Sequence, residues 1–478
     1  MTQRFSRRDM LKITGAAFAT SLAPKLHAQG APTAVVIGAG IAGLSAAYDL
    51  QQAGFAVTVM EKASFTGGRM RNDWVGPIYT TPHALGVLQG TKEIFSLAED
   101  VGIKEEFAGA SETDAYMIDN GHGQYQVSLK FDLQQALEIP GFTPETRQKL
   151  MALKPELDKF KTEVDPAFCT TGAQYDDETV EEYFNRILGA EAANQFMDYW
   201  VDTFLDPWGL TRDTSCAPVM ANISSGQPFS APRGGIGVLT RKLGDLLHVQ
   251  NKTTVRYITP PNAEGRHTIH YLTSTFQRRS VTPDVVVLAV EGKFVPELVQ
   301  GLDEQETRYF KSIDFAKIVR VAFVLNDKAN PLEPRGMAFI PRHPSSVGKK
   351  VWFWHTAAAG TEHPDNPPRI YVDLHRSPEN IGQWQASGKS QPDYCLALLQ
   401  ELYPEFDATS IVDAVNFGSD ELAYMPKGFI RATADMLNKQ EKSKRGLYYA
   451  GEYLAGSHTA AASASGRVTA RTIIKHWL

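Results

Sequence analysis

The sequence is poor in the features that mark metal centres, nucleic-acid binding and membrane spans. Its 478 residues include only three cysteines, Cys169, Cys216 and Cys395, which lie far apart and in no metal-ligand spacing. Basic residues number 48 and acidic residues 54, a net charge of −6, and the body of the chain has no Lys/Arg-rich block. We therefore predict no metal site, no nucleic-acid partner and three free, mostly buried thiols.

Length and composition are those of an ordinary globular protein. At 478 residues the chain is too long for one simple hydrophobic core, so we expect two closely joined domains. Hydrophobic residues make up 43% and charged residues 21%, which argues against long disorder. No internal repeat or low-complexity tract is evident, so the two domains are expected to differ from each other.

The first 28 residues resemble an export signal rather than part of the fold. Ser6–Lys12 contains two adjacent arginines and closely resembles the twin-arginine signal, and a weakly apolar stretch follows from Ile13 to Pro24. Ala28 ends a small-residue cleavage site. The apolar stretch is too short to span a bilayer. We therefore expect export in the folded state to the periplasm, with the twin-arginine translocation machinery as a transient partner and no stable membrane span.

The chain after this segment opens with a predicted strand–turn–helix–strand unit. The residues Thr33–Ile37 form a short β-branched strand, 41–53 a helix with one apolar face, and Ala56–Met60 a second strand. The turn between the first strand and the helix has the pattern GxGxxG, from Gly38 to Gly43. This pattern is weak alone, but between a strand and a helix it indicates a dinucleotide site.

Each glycine of the turn has a physical role in such a site. Gly38 permits the tight turn, Gly40 lets the backbone approach a pyrophosphate, and Gly43 permits close packing of helix on strand. The N-terminus of the helix directs free N–H groups and partial positive charge at the phosphates. Glu61 follows about 20 residues on, where a carboxylate accepts from a ribose hydroxyl and repels a 2′-phosphate. FAD or NAD is therefore favoured over NADP.

A second segment separates FAD from NAD. Thr66–Met70, which contains Gly68 and Arg69, follows Glu61 closely. It resembles the second FAD-contacting motif of the flavin amine oxidase superfamily, a group that includes monoamine oxidases, protoporphyrinogen oxidases and phytoene desaturases. In that family the arginine reaches the pyrophosphate, a charge-assisted contact that suits the guanidinium group.

Further stretches resemble motifs of the same family, in the same order. Pro232–Gly237 resembles its PxGG segment, and Val255 falls where backbone groups contact the adenine. In Tyr449–Glu452 the resemblance implies that the carboxylate of Glu452, directly after Gly451, holds the ribityl chain. Residues 461–466 resemble the start of a helix beneath the flavin, whose dipole favours negative charge near N1–C2=O. The resemblance implies an FAD cofactor.

The order of predicted elements indicates an α/β fold, with a Rossmann-like FAD-binding domain (GR2-type) and an interleaved α+β substrate-binding domain. Apolar residues recur at helical spacing from about 91 to 214, so we predict a mainly helical insertion there. Strands are predicted for 317–325 and 351–354. The expected domain limits are 29–90, 230–300 and 430–478 for the FAD-binding domain, and 91–229 and 301–429 for the substrate-binding domain.

The resemblance also supplies a candidate catalytic residue. Enzymes of this kind hold a substrate carbon against N5 of the flavin for hydride transfer. In many amine oxidases of the family one lysine binds a water beside N5. Phe315–Val321 resembles the segment that carries it, which makes Lys317 the candidate for proton handling during flavin reoxidation. The alternative is a strand-end lysine with its amine in solvent.

The substrate side departs from the family's amine oxidases, which place aromatic side chains on both sides of the amine. Glu421 occupies the first aromatic position and Tyr424 follows three residues later, while the second expected span is shorter and holds Ser457–Thr459. Asp420 or Glu421 could pair with a cationic amine, or both could be surface groups beside a larger apolar substrate. Because Asp420 stands where monoamine oxidases carry the flavin-linking cysteine, FAD is expected to be non-covalent.

These features predict an exported FAD-dependent oxidoreductase that removes a hydride from a small or medium organic substrate. Oxidation of an amine C–N bond is the leading hypothesis. C–C desaturation of a polycyclic or isoprenoid substrate is the second, and a non-catalytic periplasmic flavoprotein is the third. The expected electron acceptor is O₂ or a periplasmic carrier. His83 and His458 are further candidates for proton transfer, although a lone histidine is more often structural.

Overall fold

A computed structural model describes most of the chain. The described residues are 30–84, 86–89, 91–108, 115–119, 124–128, 131–205, 209–227, 229–326, 337–340, 352–355, 363–375, 378–442 and 444–478. At some of these positions, including 316–317 and 418–421, the description covers the backbone alone. The predicted export signal lies outside the described residues.

The strands, numbered in chain order, have the following bounds: β1 Thr33–Ile37, β2 Ala56–Met60, β3 Asp73–Val75, β4 Ile78–Thr80, β5 Val87–Leu88, β6 Ala115–Asp119, β7 Gln124–Ser128, β8 Phe229–Ser230, β9 Val249–Gln250, β10 Thr254–Ile258, β11 Ile269–Leu272, β12 Arg278–Val281, β13 Val285–Leu288, β14 Asp314–Leu325, β15 Met337–Ile340, β16 Trp352–His355, β17 Arg369–His375, β18 Ile411–Tyr424 and β19 Leu447–Tyr449.

The α-helices are α1 Ile41–Gln52, α2 Lys92–Asp100, α3 Lys104–Phe107, α4 Leu133–Leu137, α5 Pro144–Leu150, α6 Leu153–Glu163, α7 Val180–Leu188, α8 Ala190–Trp200, α9 Cys216–Ser225, α10 Val238–Leu246, α11 Val295–Leu298, α12 Glu304–Ser312, α13 Pro378–Ser387, α14 Gln391–Leu402, α15 Phe429–Lys442 and α16 Thr459–Trp477. Short 3₁₀ turns cover Cys169–Tyr175, Gly292–Phe294, Ala408–Ser410 and Glu452–Leu454, and a π-helical turn covers Val201–Leu205.

A parallel five-stranded sheet carries the glycine turn. Its strand order is β19-β13-β1-β2-β9, with β1 at the centre paired to β13 and β2. Strand β13 is apolar and buried along its whole length, as expected for a parallel strand covered on both faces. The strands come from three separated parts of the chain, and the α/β fold class predicted from the sequence is confirmed.

The C-terminal helix α16 packs directly against α1 beside this sheet. A Cβ added at Gly466 would stand 2.1 Å from the carbonyl oxygen of Ala42, so only glycine permits this approach. The hydroxyls of Ser45 and Ser463 lie 2.9 Å apart within the same buried contact. The close packing brings the N-terminus of α16 to the edge of the sheet where the glycine turn lies.

A mixed seven-stranded sheet and a helical cluster form the second unit. The sheet has the order β18-β14-β17-β16-β15-β6-β7, and its long strands β14 and β18 pair antiparallel. The helices between α4 and α9 surround a separate aromatic-rich core. The prediction of a mainly helical insertion missed the hairpin β6–β7, because its place in the sheet depends on parallel pairing with β15, more than 200 residues away in the chain.

The three thiols of the chain are buried away from solvent as free cysteines. Cys169, Cys216 and Cys395 are free and buried, and burial raises the pKa of each thiol to about 12. Thiols with such a pKa are protonated near neutral pH and therefore poorly reactive. Within the described ranges, no set of three or more His, Cys, Asp or Glu residues is arranged to hold a metal ion. No helix in that part of the chain is long and apolar enough to cross a bilayer.

Candidate active site

A cavity of about 750 Å³ opens at the carboxyl ends of β1 and β2, where the glycine turn begins. Its volume is typical of a site for a cofactor or small ligand. Ligands of open parallel sheets bind at this edge of the strands. One side of the cavity is formed by the parallel sheet and α16, and the other side by the strands β14 and β18 of the mixed sheet. Both units therefore contribute to one site.

The three turn glycines differ in what surrounds them. A Cβ at Gly38, whose φ is +104°, would stand 2.4 Å from the carbonyl oxygen of Ala289, and one at Gly43 would stand 2.1 Å from that of Gly38. Both glycines are therefore required for the turn itself. At Gly40, which lines the cavity, a Cβ would meet no atom within 4 Å. The absence of a side chain there keeps space open for a ligand next to the backbone, which fits the pyrophosphate role predicted for Gly40.

Glu61 lies at the cavity in a fixed orientation. One carboxylate oxygen accepts the backbone N–H of Ala39 at 2.7 Å, and the other accepts that of Ala63 at 2.8 Å. Each oxygen of a carboxylate can accept about two hydrogen bonds, so each retains capacity for a further donor. This arrangement suits the ribose contact predicted for Glu61, and the acidic side chain also fits a cofactor without a 2′-phosphate.

The segment around Gly67 and Gly68 lies against the glycine turn. The N–H of Gly67 donates to the carbonyl oxygen of Ala39 at 2.7 Å, and both glycines have positive φ, +103° and +55°. This path directs Arg69 and Arg71 to the cavity. Arg71, which the sequence interpretation did not single out, donates to the carbonyl oxygen of Gly68 at 2.5 Å and stacks on Phe65 at 4.2 Å.

Arg69 and Glu452 form an ion pair across the cavity wall. The guanidinium nitrogen Nη2 lies 2.7 Å from the carboxylate of Glu452, whose side chain is 7% exposed. The second oxygen of Glu452 accepts the backbone N–H of Ala423 in β18 at 3.2 Å. Burial raises the pKa of Glu452, and the adjacent Arg69 opposes that effect. The family resemblance implies separate cofactor contacts for these two residues, and the structure pairs them with each other as well.

Val255 lies at the same end of the cavity as Glu61. It belongs to β10, where the register with β11 shifts between Val255 and Tyr257. Such a bulge redirects neighbouring side chains. The N–H of Thr253 donates to the carbonyl oxygen of Glu61 at 2.8 Å, which ties the start of β10 to the end of β2. The adenine contact assigned to Val255 stays a prediction, and its position at the cavity is compatible with it.

The opposite wall contains a buried cation that the sequence interpretation missed. Arg320 of β14 lines the cavity and is 5% exposed. Its Nε and Nη2 atoms donate to the two carboxylate oxygens of Asp373 at 2.8 and 2.9 Å, and Nη1 donates to the carbonyl oxygen of Thr81 at 3.0 Å. Ile318 and Leu422 are its apolar neighbours in the wall. The available signal was the two-residue period of the strand, which places Ile318 and Arg320 on one face.

The predicted catalytic and substrate residues are only partly described. Lys317 and Glu421 are direct cross-strand partners of β14 and β18, but their side chains lie outside the description. Tyr424 is half-buried, and it is not among the residues that line the cavity in the described part of the chain. Burial and a hydrogen bond with Asp213 raise the pKa of its phenol. The roles given to these three residues stay predictions.

His458 caps the N-terminus of α16, which lies at the cavity. Its Nδ1 accepts the N–H of Ala461 at 3.2 Å, and its Nε2 donates to the carbonyl oxygen of Pro166 at 2.8 Å. Desolvation lowers the pKa of His458, so the ring is neutral with its proton on Nε2. With both nitrogens engaged, the structure favours a capping role for His458. Ala462, in the first turn of α16, lines the cavity, so the positive end of the helix dipole lies there.

The chain is similar to known proteins, over most of its length or over shorter segments. The model of a family described as flavin containing amine oxidoreductase matches residues 41–474. Protoporphyrinogen oxidase 2 of Arabidopsis thaliana is 27% identical over 183 residues, 38% of this chain and 33% of that protein. A phytoene desaturase of Cercospora nicotianae is 63% identical over 38 residues, 8% of this chain and 6% of that protein. The matched segments thus span a third or less of these curated relatives.

A solved structure of a putrescine oxidase variant is similar over nearly the full length. The TM-score is 0.68, and the alignment covers 93% of this chain and 100% of the other. Sequence identity is 16%, so this likeness establishes the fold alone.

Proposed function

This chain belongs to the flavin-containing amine oxidoreductase family and is an FAD-dependent oxidoreductase, and from that premise we propose that it is exported and oxidises the C–N bond of a small or medium organic amine. The observation that carries the proposal is the cavity itself. One wall of the cavity is formed by the glycine turn, the hydrogen-bonded carboxylate of Glu61 and the N-terminus of α16. The other wall is formed by β14 and β18 of the mixed sheet.

The residues of the first wall fit non-covalent FAD. Gly40 leaves open space beside the backbone, Glu61 offers acceptors to a ribose, and Arg69 and Arg71 offer positive charge near the turn. The positive end of the α16 dipole favours negative charge beside Ala462. Bound FAD supplies the hydride acceptor, and the protein positions the substrate carbon against it.

The second wall determines which substrate carbon can approach. Ile318 and Leu422 give it apolar surface, which excludes water from a reacting C–H bond. A neutral amine losing a hydride from its α-carbon becomes an iminium ion, which water hydrolyses to a carbonyl compound and ammonia or a smaller amine. The two electrons then pass to O₂ or to a periplasmic carrier. Similarity in fold to a putrescine oxidase supports the amine as substrate class.

C–C desaturation is the second candidate, because the sequence relatives favour it. The matched relatives are a protoporphyrinogen oxidase and a phytoene desaturase, and Glu421 stands where the family's amine oxidases carry an aromatic residue. A substrate of that kind is large and apolar. The non-catalytic alternative is not supported, because the family match identifies an FAD-dependent oxidoreductase.

Export to the periplasm is part of the same proposal. Its support is the resemblance of Ser6–Lys12 to a twin-arginine signal. The route carries folded proteins, which suits an enzyme loaded with FAD before translocation. Fractionation of cells that express the full chain tests this, since FAD-bound protein is expected in the periplasmic fraction. Replacing both Arg7 and Arg8 with lysine should retain the protein in the cytoplasm.

An anaerobic titration of the FAD-loaded protein distinguishes the two candidate reactions. Primary monoamines, diamines, protoporphyrinogen and phytoene are added separately, and the visible absorbance of the flavin is followed. Bleaching by an amine alone supports C–N oxidation, whereas bleaching by the polyene or porphyrinogen alone supports desaturation. If none of these compounds bleaches the flavin, both proposed substrate classes are wrong. Admitting air and measuring peroxide, then repeating with a redox dye, identifies the class of electron acceptor.

A further inference from the structure

The small antiparallel sheet β10–β11–β12 has one face on the core and one on solvent. Val255, Tyr271 and Val281 pack against the core cluster of the parallel sheet. Because side chains alternate along a strand, the cross-strand pairs Tyr257–His270 and Leu272–Arg278 point away from the core, and Arg256 is exposed in the bulge between Val255 and Tyr257. We call this outer surface, with the tip of the β11–β12 hairpin, the hairpin face. It consists of Arg256, Tyr257, His270, Leu272, Phe276 and Arg278.

Phe276 at the tip of the hairpin is the most unusual residue of this face. It is 84% exposed, and its φ of +60° lies in the left-handed region. Glycine and asparagine adopt that conformation more readily than an aromatic residue. The backbone conformation of Phe276 therefore destabilises the folded chain, and the exposed ring offers no burial to offset this cost. Such an outlier motivates a functional explanation outside the folded chain itself.

Positive charge surrounds the exposed aromatic residues. Arg256, Arg278 and Arg279 are all exposed, and neither Arg256 nor Arg278 forms an ion pair with any residue in the described ranges. Tyr257 is 37% exposed and stacks on His270, with ring centroids 4.4 Å apart. The whole chain has a net charge of −6, so this positive region is a local property of the hairpin face.

We propose that the hairpin face binds the surface of an anionic lipid bilayer, with Phe276 inserted among the lipids. Arg278 stands two residues behind Phe276, a separation of about 7 Å along a strand. Interfacial segments bury their apolar groups roughly 5–10 Å below the headgroups, so the ring of Phe276 reaches the acyl boundary while Arg278 stays at the phosphates. Arg256 and Tyr257 then lie at the headgroup level, where arginine and tyrosine are favoured.

The single exposed ring of Phe276, with arginines behind it, suits insertion into a lipid bilayer better than binding to an anionic protein or a nucleic acid. A protein partner would need a matching cavity, and nucleic acid would need aromatic rings presented flat for base stacking. On the hairpin face the ring of Tyr257 is already stacked on His270, and Phe276 stands alone at the tip. Binding would be peripheral and reversible, since one inserted ring and a few charges hold a protein only weakly.

Flotation of the full-length, FAD-loaded protein with vesicles tests the proposal. Vesicles of phosphatidylcholine containing one third phosphatidylglycerol are compared with vesicles of phosphatidylcholine alone. Binding is expected only to the anionic vesicles and should weaken as salt rises, because salt screens the arginine charges. Equal binding to both vesicles, or binding to neither, would overturn the proposal. Stronger binding to a single-stranded oligonucleotide than to anionic vesicles would also overturn it.

Two variants connect binding to the hairpin face. Phe276→Asn relieves the backbone conformation, so its melting temperature should equal or exceed that of the parent while vesicle affinity falls by roughly 10-fold. Arg256→Gln with Arg278→Gln removes two charges and should lower affinity by roughly 30-fold. Unchanged vesicle affinity in either variant would refute the assignment, since all three residues are exposed and neither variant should disturb the fold.

Matched controls use residues of the same type elsewhere on the surface. Val412→Ser removes an apolar side chain that is 63% exposed on β18, and Arg308→Gln with Arg471→Gln removes two exposed charges. Apart from the effect of a changed net charge, neither control should alter vesicle affinity by more than about 2-fold. Equal losses in the control pair and the hairpin pair would show that total charge, and not this face, determines binding.

Discussion

Replacing Arg320 with methionine would leave the carboxylate of Asp373 buried without the guanidinium that now contacts both of its oxygens. Asp373 is 0% exposed and Arg320 is 5% exposed, with donor–acceptor distances of 2.8 and 2.9 Å. Removing one partner of a fully buried ion pair typically costs about 3–5 kcal/mol, most of it from the uncompensated charge that remains. We expect the free energy of unfolding of Arg320→Met to fall by about that amount.

The pH dependence of this loss identifies its cause. Without Arg320, burial raises the pKa of Asp373 above its value in the unfolded chain, so the folded state binds a proton more tightly. The ionised form is then penalised above that pKa, and the stability of the variant recovers as pH falls. Replacing Asp373 with leucine in the same chain removes the buried charge and should restore most of the stability at neutral pH.

Urea unfolding, followed by tryptophan fluorescence and by flavin absorbance, measures these differences. The parent, Arg320→Met and the double variant Arg320→Met/Asp373→Leu are compared at pH 7 and at pH 5. A loss below about 1 kcal/mol for Arg320→Met, or a loss of the same size at both pH values, would refute the buried-pair argument. In that case the guanidinium and carboxylate would be screened by water at the cavity wall.

Three further predictions concern the cofactor and the proposed chemistry. Gly40→Ala should fold normally but bind FAD roughly 10-fold more weakly in titrations of the apoprotein. The control is Gly382→Ala in a helix, where an added Cβ would also meet no atom within 4 Å, and this variant should bind FAD normally. The stability of the parent relative to Glu452→Gln should decrease as pH rises through the raised pKa of Glu452, because burial penalises the ionised carboxylate. Melting temperatures of both proteins measure this difference across the pH range, and a constant difference would contradict the prediction. Lys317→Met should slow amine oxidation or flavin reoxidation by at least ~10-fold in stopped-flow measurements, and an unchanged rate would exclude Lys317 from the mechanism.

The cofactor motif was predictable because its physics is local. Gly38 and Gly43 are needed for contacts within a turn of six residues and one neighbouring strand, and Glu61 follows from the length of one strand–helix–strand unit. Steric limits of this kind appear directly in the pattern of residue types. The FAD cofactor and the oxidoreductase class were predicted from the family resemblance, and together with the predicted α/β fold they are confirmed by the family match and the fold.

The substrate wall was predicted less well, because local patterns do not show which face of a strand meets a cavity. The resemblance directed attention to Lys317, whose side chain lies outside the description, whereas Arg320, three residues further along β14, is a cation that the structure places in the wall. Its role depends on Asp373, 53 residues away, and on the carbonyl oxygen of Thr81, 239 residues away. The hairpin face likewise required the registers of three strands before its exposed residues could be recognised as one surface.

The sequence alone therefore determined the glycine turn and the acidic residue after β2, since backbone sterics over a few residues specify them, and its resemblance to a known family indicated the family and the cofactor. Only the tertiary structure determined that Arg69 pairs with Glu452, which is 383 residues away, and that Arg320 is held by Asp373. These ion pairs exist because packing brings distant segments together and excludes water from Glu452, Arg320 and Asp373. That exclusion is a property of the assembled cavity, and no single segment of the chain encodes it.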